Sequence, residues 1–244
     1  SATPIPRTLV LAFYGDMDVS IISEKPLNRK SIITLSKPEE KIGEIIEFIK
    51  KKLKLGNQVF WVCPLIEESK KLDYSAAVKQ YKFLSKIFPK KIGLIHGSMD
   101  KNEKDLALKS FLNKEIDILV STTVIEVGVD FPNANIIIIE NSNKFGLSQL
   151  HQLRGRVGRG SMQGTCILLF KKNLSENARK RLKILKASND GFFIAEEDLK
   201  LRGFGDVLGY QQSGVKDFKL ADPVHHEHLF KIAEKDIKNI EASE

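Results

Sequence analysis

Short, nearly continuous apolar runs alternate along this chain with longer stretches whose apolar residues recur at helical spacing. The runs fall at residues 31–35, 58–63, 92–96, 117–121, 135–140 and 165–170. Most are unbroken Ile, Val and Leu, the pattern of strands covered on both faces. Between them, residues 38–55 place Ile42, Ile45, Ile46, Ile49 and Leu53 on one helical face, with Ser36 as the expected N-cap and Gly56 as the stop. Residues 76–88 and 102–111 follow the same pattern. Strand–helix alternation with short connections predicts an α/β fold, a parallel sheet flanked by helices with right-handed crossovers.

After Lys172 the alternation stops. Residues 175–188 read as a basic amphipathic helix and 194–201 as a second helix. A loop follows that contains Gly203, Gly205, Gly209 and Gly214, and residues 223–240 read as a closing helix. A small helical appendage over residues 173–244 is therefore expected behind the sheet domain. The chain opens on Ser1-Ala2-Thr3-Pro4 without an initiator Met and is read as a piece of a longer protein.

Charge narrows the choice of partner. The net charge is +8 over 244 residues, which favours a polyanion. Its distribution says more: from Asn141 to Ser175 there is no Asp or Glu, whereas Lys144, Arg154, Arg156, Arg159, Lys171 and Lys172 all fall there. No apolar run approaches the roughly 20 residues of a membrane span, and no signal peptide opens the chain. A cytoplasmic protein with no membrane partner is expected. Cys63 and Cys166 each sit inside an apolar run and read as reduced core residues. His225, His226 and His228 lack the ligand spacing of a metal site, so no bound metal is expected from them. Trp61, Phe60 and Tyr81 lie in or beside periodic apolar segments and read as core, not as a base-stacking platform.

Three polar clusters directly follow expected strands: His96-Gly97-Ser98, Ser121-Thr122-Thr123 and Glu140-Asn141-Ser142. Parallel strands put all three on the carboxyl edge, where open α/β sheets bind ligands. The sharpest local signal is Gln152-x-x-Gly155-Arg156-x-Gly158-Arg159. Arginine offers a planar fork of donors to phosphate oxygens, and the glycines allow a backbone or ligand to approach closely. On a continued helix Gln152, Arg156 and Arg159 would share one face, and such an arginine suits the charge on a transferring phosphoryl group. Glu126, Gly128 and Asp130 form a second candidate, with carboxylates for a ribose hydroxyl or a metal. A polar turn explains them equally well. Residues 136–140 imitate a Walker B strand, four isoleucines and then Glu140. That reading is discounted because no G-x-x-x-x-G-K-[ST] phosphate loop occurs in the chain.

Taken together these segments resemble superfamily-two helicases. Residues 1–8 (SATPIPRT) resemble motif III, 121–130 (STTVIEVGVD) motif V, and 152–159 motif VI. Residues 56–69 (GNQVFWVCPLIEES) and 14–22 (YGDMDVSII) are similar to the RecG family of branched-DNA helicases. Residues 201–214 (LRGFGDVLGYQQSG) resemble the translocation motif that this family shares with Mfd-type transcription-repair coupling translocases. The resemblance implies three parts: residues 1–28 as the tail of a first helicase lobe, 29–172 as a second RecA-like lobe, and 173–244 as a translocation hairpin with a C-terminal helix. It implies Arg159 as an arginine finger assisted by Arg156 and Gln152, with Glu126, Gly128 and Asp130 near the nucleotide. His96, Gly97 and Thr122 would contact the DNA backbone, and Arg202 and Gln212 would serve translocation. ATP with Mg2+ would be bound mainly by the first lobe. The implied partners are branched or forked duplex DNA, that lobe and a wedge domain. An Mfd-type translocase and a non-catalytic nucleic-acid-binding module remain the rival readings. Without a Walker A sequence, hydrolysis by this chain alone is not expected.

Overall fold

The computed structural model describes residues 30–64, 70–122, 131–160, 162–202 and 226–241. It divides into two compact units, residues 25–189 and residues 190–244 together with 1–24.

In the larger unit, described from residue 30 on, six strands form one sheet: β1 Ile33–Pro38, β2 Gln58–Val62, β3 Ile92–Ile95, β4 Ile118–Ser121, β5 Ala134–Ile139 and β6 Thr165–Phe170. Their order is β1-β6-β5-β2-β4-β3, and every pairing is parallel. The helices are α1 Ile42–Leu53, α2 Lys70–Ile87, α3 Lys101–Leu112, α4 Leu147–Arg154 and α5 Glu176–Ala187. All six apolar runs thus become strands, as the unbroken Ile, Val and Leu pattern predicts.

Both faces of the sheet are covered, which is why the strands need no polar alternation. On one face Trp61, Ile118, Val120, Ile136, Ile138, Ile167 and Leu169 pack with Ile45, Ile46 and Ile49 of α1 and Ala77 and Leu84 of α2. On the other face the rings of Phe60, Phe111 of α3 and Phe131 meet with centroids 5.0–5.5 Å apart. Edge-on and tilted contacts at this distance add about 1 kcal/mol per pair beyond burial. Trp61 is fully buried, so it belongs to the core and is not a base-stacking surface.

Two local expectations are corrected. Ser36 is not a helix cap: β1 continues through it to Pro38, and the chain enters α1 by a 3-10 turn at Glu39–Lys41 with no side-chain cap. Pro38 has no N–H to donate and holds φ at −68°, so it suits the end of an edge strand and the start of a turn. Gly56 does stop α1, at φ +78°, a conformation that costs other residues more. The other correction concerns extent. The expected division after Lys172 falls inside the larger unit, which runs to Asn189. Helix α5 buries Ala178, Leu182 and Leu185 and packs on β1, so it is the last helix of the sheet domain.

In the smaller unit, α6 Gly191–Arg202 buries Ile194, Ala195 and Leu199. Helix α7 Glu227–Glu241 leaves Leu229, Ile232, Ile237 and Ile240 exposed. Among the described residues no helix is long and apolar enough to cross a membrane.

Candidate functional site

Among the described residues, the candidate site residues of the larger unit fall on opposite edges of the sheet. A strand of 4–6 residues separates those edges by about 13–20 Å at 3.3 Å per residue.

The arginine motif lies at the amino edge. Helix α4 starts past the carboxyl end of β5, with the Gly146 N–H donating to Gln149 Oε1, and ends at Arg154. The helix does not continue through Arg156 and Arg159, so the shared helical face expected for Gln152, Arg156 and Arg159 does not form. The chain turns instead. The Arg156 N–H donates to Leu153 O, and the Gly158 N–H, at φ +67°, donates to Ala134 O, the first residue of β5. A Cβ on Gly158 would stand 3.1 Å from Gly164 Cα, and one on Gly160 would stand 2.4 Å from Pro132 O. These glycines therefore seat the turn directly against backbone at the strand starts. Val157 is buried beneath it.

This seat presents two guanidiniums. Arg159 is exposed, with Nε donating to Gly155 O at 3.2 Å. Arg156 is half-buried. Its pKa is lowered first by desolvation and then by the charge of Arg159, so the two cations lie close enough to repel. Gln152 is exposed one turn back. Repelling cations on a rigid turn gain most from an anion with several acceptor oxygens.

Arg154 does not stand out in the sequence, where it merely adds to the basic window. It is 2 % exposed. Its Nη1 donates to Leu185 O at 2.7 Å, Ser188 O at 2.8 Å and Thr34 Oγ1 at 3.3 Å, and its Nη2 lies 2.9 Å from His151 Nδ1. It thus ties the motif helix to the end of α5. The signal is periodic: Arg154 stands seven residues after Leu147 and four after Leu150, in line with the buried face of α4.

The carboxyl edge carries His96-Gly97-Ser98, Ser121-Thr122 and Glu140-Asn141-Ser142, as parallel pairing requires. The ladder extends one residue past the strands there: Cys63 N–H to Ser121 O, Thr122 N–H to Ile95 O, and Glu140 N–H to Val62 O. Gly97 is exposed, His96 is 9 % exposed and Thr122 1 % exposed. Burial pushes the His96 pKa down, more than Glu103 raises it, which favours the neutral ring. Among the described residues Ser121 Oγ and Thr122 Oγ1 are buried with no hydrogen-bond partner, a costly state that a neighbouring acceptor would relieve. Glu140 is spoken for: its Oε1 accepts from Trp61 Nε1 at 2.7 Å, and burial raises its pKa more than Trp61 and Cys63 lower it. Burial also raises the Cys63 and Cys166 thiols, Cys166 to about 12, so both cysteines are inert core residues.

Glu126, Gly128, Asp130 and Gln212 lie outside the described residues, as do 1–28 and Thr123. Arg202 is the last residue of α6. No group of three or more His, Cys, Asp or Glu that could hold a metal exists among the described residues.

The helicase conserved C-terminal domain family matches residues 40–161, and the family described as ATP-dependent DNA helicase RecG, domain 3, C-terminal matches residues 188–243. The chain is 48% identical to the ATP-dependent DNA helicase RecG of Bacillus subtilis (strain 168), covering 100% of this chain and 36% of that protein. It is equally identical, 48%, to the protein of the same name from Thermotoga maritima, covering 99% of this chain and 31% of the relative. A solved structure described as RecG bound to a three-way DNA junction is 46% identical, with a TM-score of 0.74 over 94% of this chain and 30% of that one. The chain spans about a third of the length of these curated relatives. On sequence and fold, the chain belongs to the RecG family of ATP-dependent DNA helicases.

Proposed function

We propose that this chain is the second motor lobe of an ATP-dependent helicase that acts on branched DNA, and that its two sheet edges divide the work. The amino edge meets ATP; the carboxyl edge meets the DNA backbone. The observation that carries the reading is the glycine-seated turn holding Arg156 and Arg159 together at the strand starts. In this reading Arg159 reaches the γ-phosphate of ATP held by a first lobe, Arg156 and Gln152 assist at the phosphates, and Glu126, Gly128 and Asp130 line the nucleotide. His96, Gly97 and Thr122 touch phosphodiester oxygens, which suits a motor indifferent to base sequence. Arg202 and Gln212 serve translocation. The three-part division of the chain stands within this proposal, with α5 counted in the second lobe.

The mechanical logic follows from differential contact. The guanidinium of Arg159 gains its anionic partner only when the lobes close, so ATP favours closure. Loss of the γ-phosphate removes that contact and the lobes reopen. Arginine donors so placed neutralise charge that develops in the transition state. Magnesium would accompany ATP, and among the described residues of this lobe no group of three or more His, Cys, Asp or Glu could hold it. The relative solved on a three-way junction supports branched DNA as the partner; a first lobe and a wedge domain in the same protein, and the cytoplasm as the place of action, belong to the proposal.

ATP hydrolysis with forked DNA, measured on the two-lobed protein carrying Arg159→Ala, tests the reading. Hydrolysis should be lost while forked DNA is still bound. Unchanged hydrolysis would mean that the arginine turn is not part of the ATP site, and would favour a nucleic-acid-binding module without catalytic role. The 244-residue chain alone, which contains no Walker A sequence, should show no turnover.

A further inference from the structure

One groove of the larger unit belongs to neither edge site. It has a volume of about 510 Å3 and lies between the carboxyl ends of β1 and β6 and the outer side of α5, with Phe170, Leu174 and Leu182 among its lining residues. Lys172, Arg179, Lys183 and Lys186 also line it.

The basic residues of this region have separate employments, which isolates the groove. Arg181 donates to Phe145 O at 2.9 Å and Asn143 O at 3.1 Å and so braces the segment after β5. Lys180 pairs with Glu176 at 2.7 Å. Lys172 pairs with Glu40 at 3.1 Å, both in water, a contact worth little and easily exchanged. Arg179, Lys183 and Lys186 are exposed and have no salt-bridge partner among the described residues. They stand at i, i+4 and i+7 on one face of α5, and so extend about 10 Å along the helix. Behind Lys180, Arg179 also helps to lower the pKa of Glu176, and exposed like charges repel only modestly in water, but a row of three cations gains from a linear polyanion beside it.

The groove starts at the carboxyl ends of β1 and β6, on the edge that carries His96 and Thr122, and the basic row runs from there down α5 toward the amino edge, where Arg154 meets the last carbonyls of that helix. In the strand order β1-β6-β5-β2-β4-β3 the groove lies at the opposite end of the sheet from His96 and Thr122, about 20 Å away at 4.8 Å per strand. We infer that Arg179, Lys183 and Lys186, with Lys172 at the rim, form a second phosphate-binding track for duplex DNA, which begins at the carboxyl edge and descends along α5, apart from the contact at His96 and Thr122. The inference rests on the proposal that the chain acts on DNA. Duplex is favoured over single strand because the contacts are charges on a straight helix, and Phe170, the one aromatic lining residue among the described residues, sits within a strand, not on an open stacking platform.

The test is the salt dependence of forked-duplex binding by the two-lobed protein, wild type against Arg179→Ala/Lys183→Ala/Lys186→Ala. Each lost phosphate contact on a duplex flattens log Kobs against log[salt] by about 0.9. The triple variant should therefore be shallower by about 2.7, Lys183→Ala alone by about 0.9, and Lys180→Ala unchanged. Wild type that binds the fork, with a triple variant of identical slope and affinity, overturns the track and leaves the DNA reading standing. Wild type that fails to bind the fork overturns both. A triple variant that keeps its DNA slope but loses binding to a polyglutamate peptide overturns the track in favour of an acidic polypeptide.

Discussion

The two edges of this sheet are built by different means. At the amino edge the chain makes backbone-on-backbone contacts that leave no space for a methyl group: Gly158 against Gly164, and Gly160 against the Pro132 carbonyl. At the carboxyl edge a Cβ on Gly97 would have nothing within 4 Å, and the polar groups of Ser121 and Thr122 are buried without partners among the described residues. The first edge fixes the backbone turn from which two arginine side chains extend. The second, in the proposed reading, would offer small groups to a partner that brings its own oxygens. A catalytic arginine must arrive at one point in space, whereas a track for a moving backbone needs contacts that form and break repeatedly.

The largest way to break this contrast is at Arg159. In the two-lobed protein Arg159→Ala should lower kcat for ATP by about 10³-fold or more, the scale of an arginine finger, with fork affinity within a few-fold. Stability separates the edges next. Arg154→Ala would leave the Leu185 and Ser188 carbonyls without their charged donor and should cost about 3 kcal/mol, read as a lower melting temperature. Gly160→Ala should cost about 2 kcal/mol through its clash with the Pro132 carbonyl. Gly97→Ala should stay within about 0.5 kcal/mol, as at an ordinary surface position. Equal losses at Gly160 and Gly97 would erase the distinction between a rigid edge and an open one.

The smallest effect is pH-dependent and belongs to the carboxyl edge. Burial holds the folded pKa of Glu140 above its ordinary value. The folded state therefore binds more protons than the unfolded chain in the window upward from about pH 4.3, and stability falls as pH rises through it. Glu140→Gln, which keeps an acceptor for Trp61, should flatten that slope in thermal melts. A slope that survives the substitution would assign it elsewhere.

The strands are legible in the sequence because both faces of the sheet are buried, so Ile136, Ile137, Ile138 and Ile139 form an unbroken signal that only a parallel α/β sheet explains well. Gly56 is legible for a local reason, its left-handed φ. The division of the chain is harder to read, because α5 is as basic and amphipathic as a free-standing helix. Only Leu182 and Leu185 packing inward, and Arg154 reaching its last carbonyls, place it on the sheet. The edge that holds the arginine turn is implicit in the order of elements: it precedes the strand Thr165–Phe170, and in a parallel sheet a segment between helix and strand lies opposite the segments that follow strands. The turn itself reads as helix because spacing alone cannot show where a helix stops, whereas in the fold Gly155 and Gly158 end it. The role of Arg154 lies in periodicity, hidden by the habit of reading arginine as surface.

The most direct test of the division of labour is a crossed measurement on the two-lobed protein. Arg159→Ala and Thr122→Val would each be assayed for ATP turnover at saturating forked DNA and for fork affinity at fixed salt. Arg159→Ala should lose turnover and keep fork affinity, while Thr122→Val should weaken fork binding and keep turnover once DNA saturates. If both substitutions lowered the same quantity by the same factor, the two edges would not be separate sites.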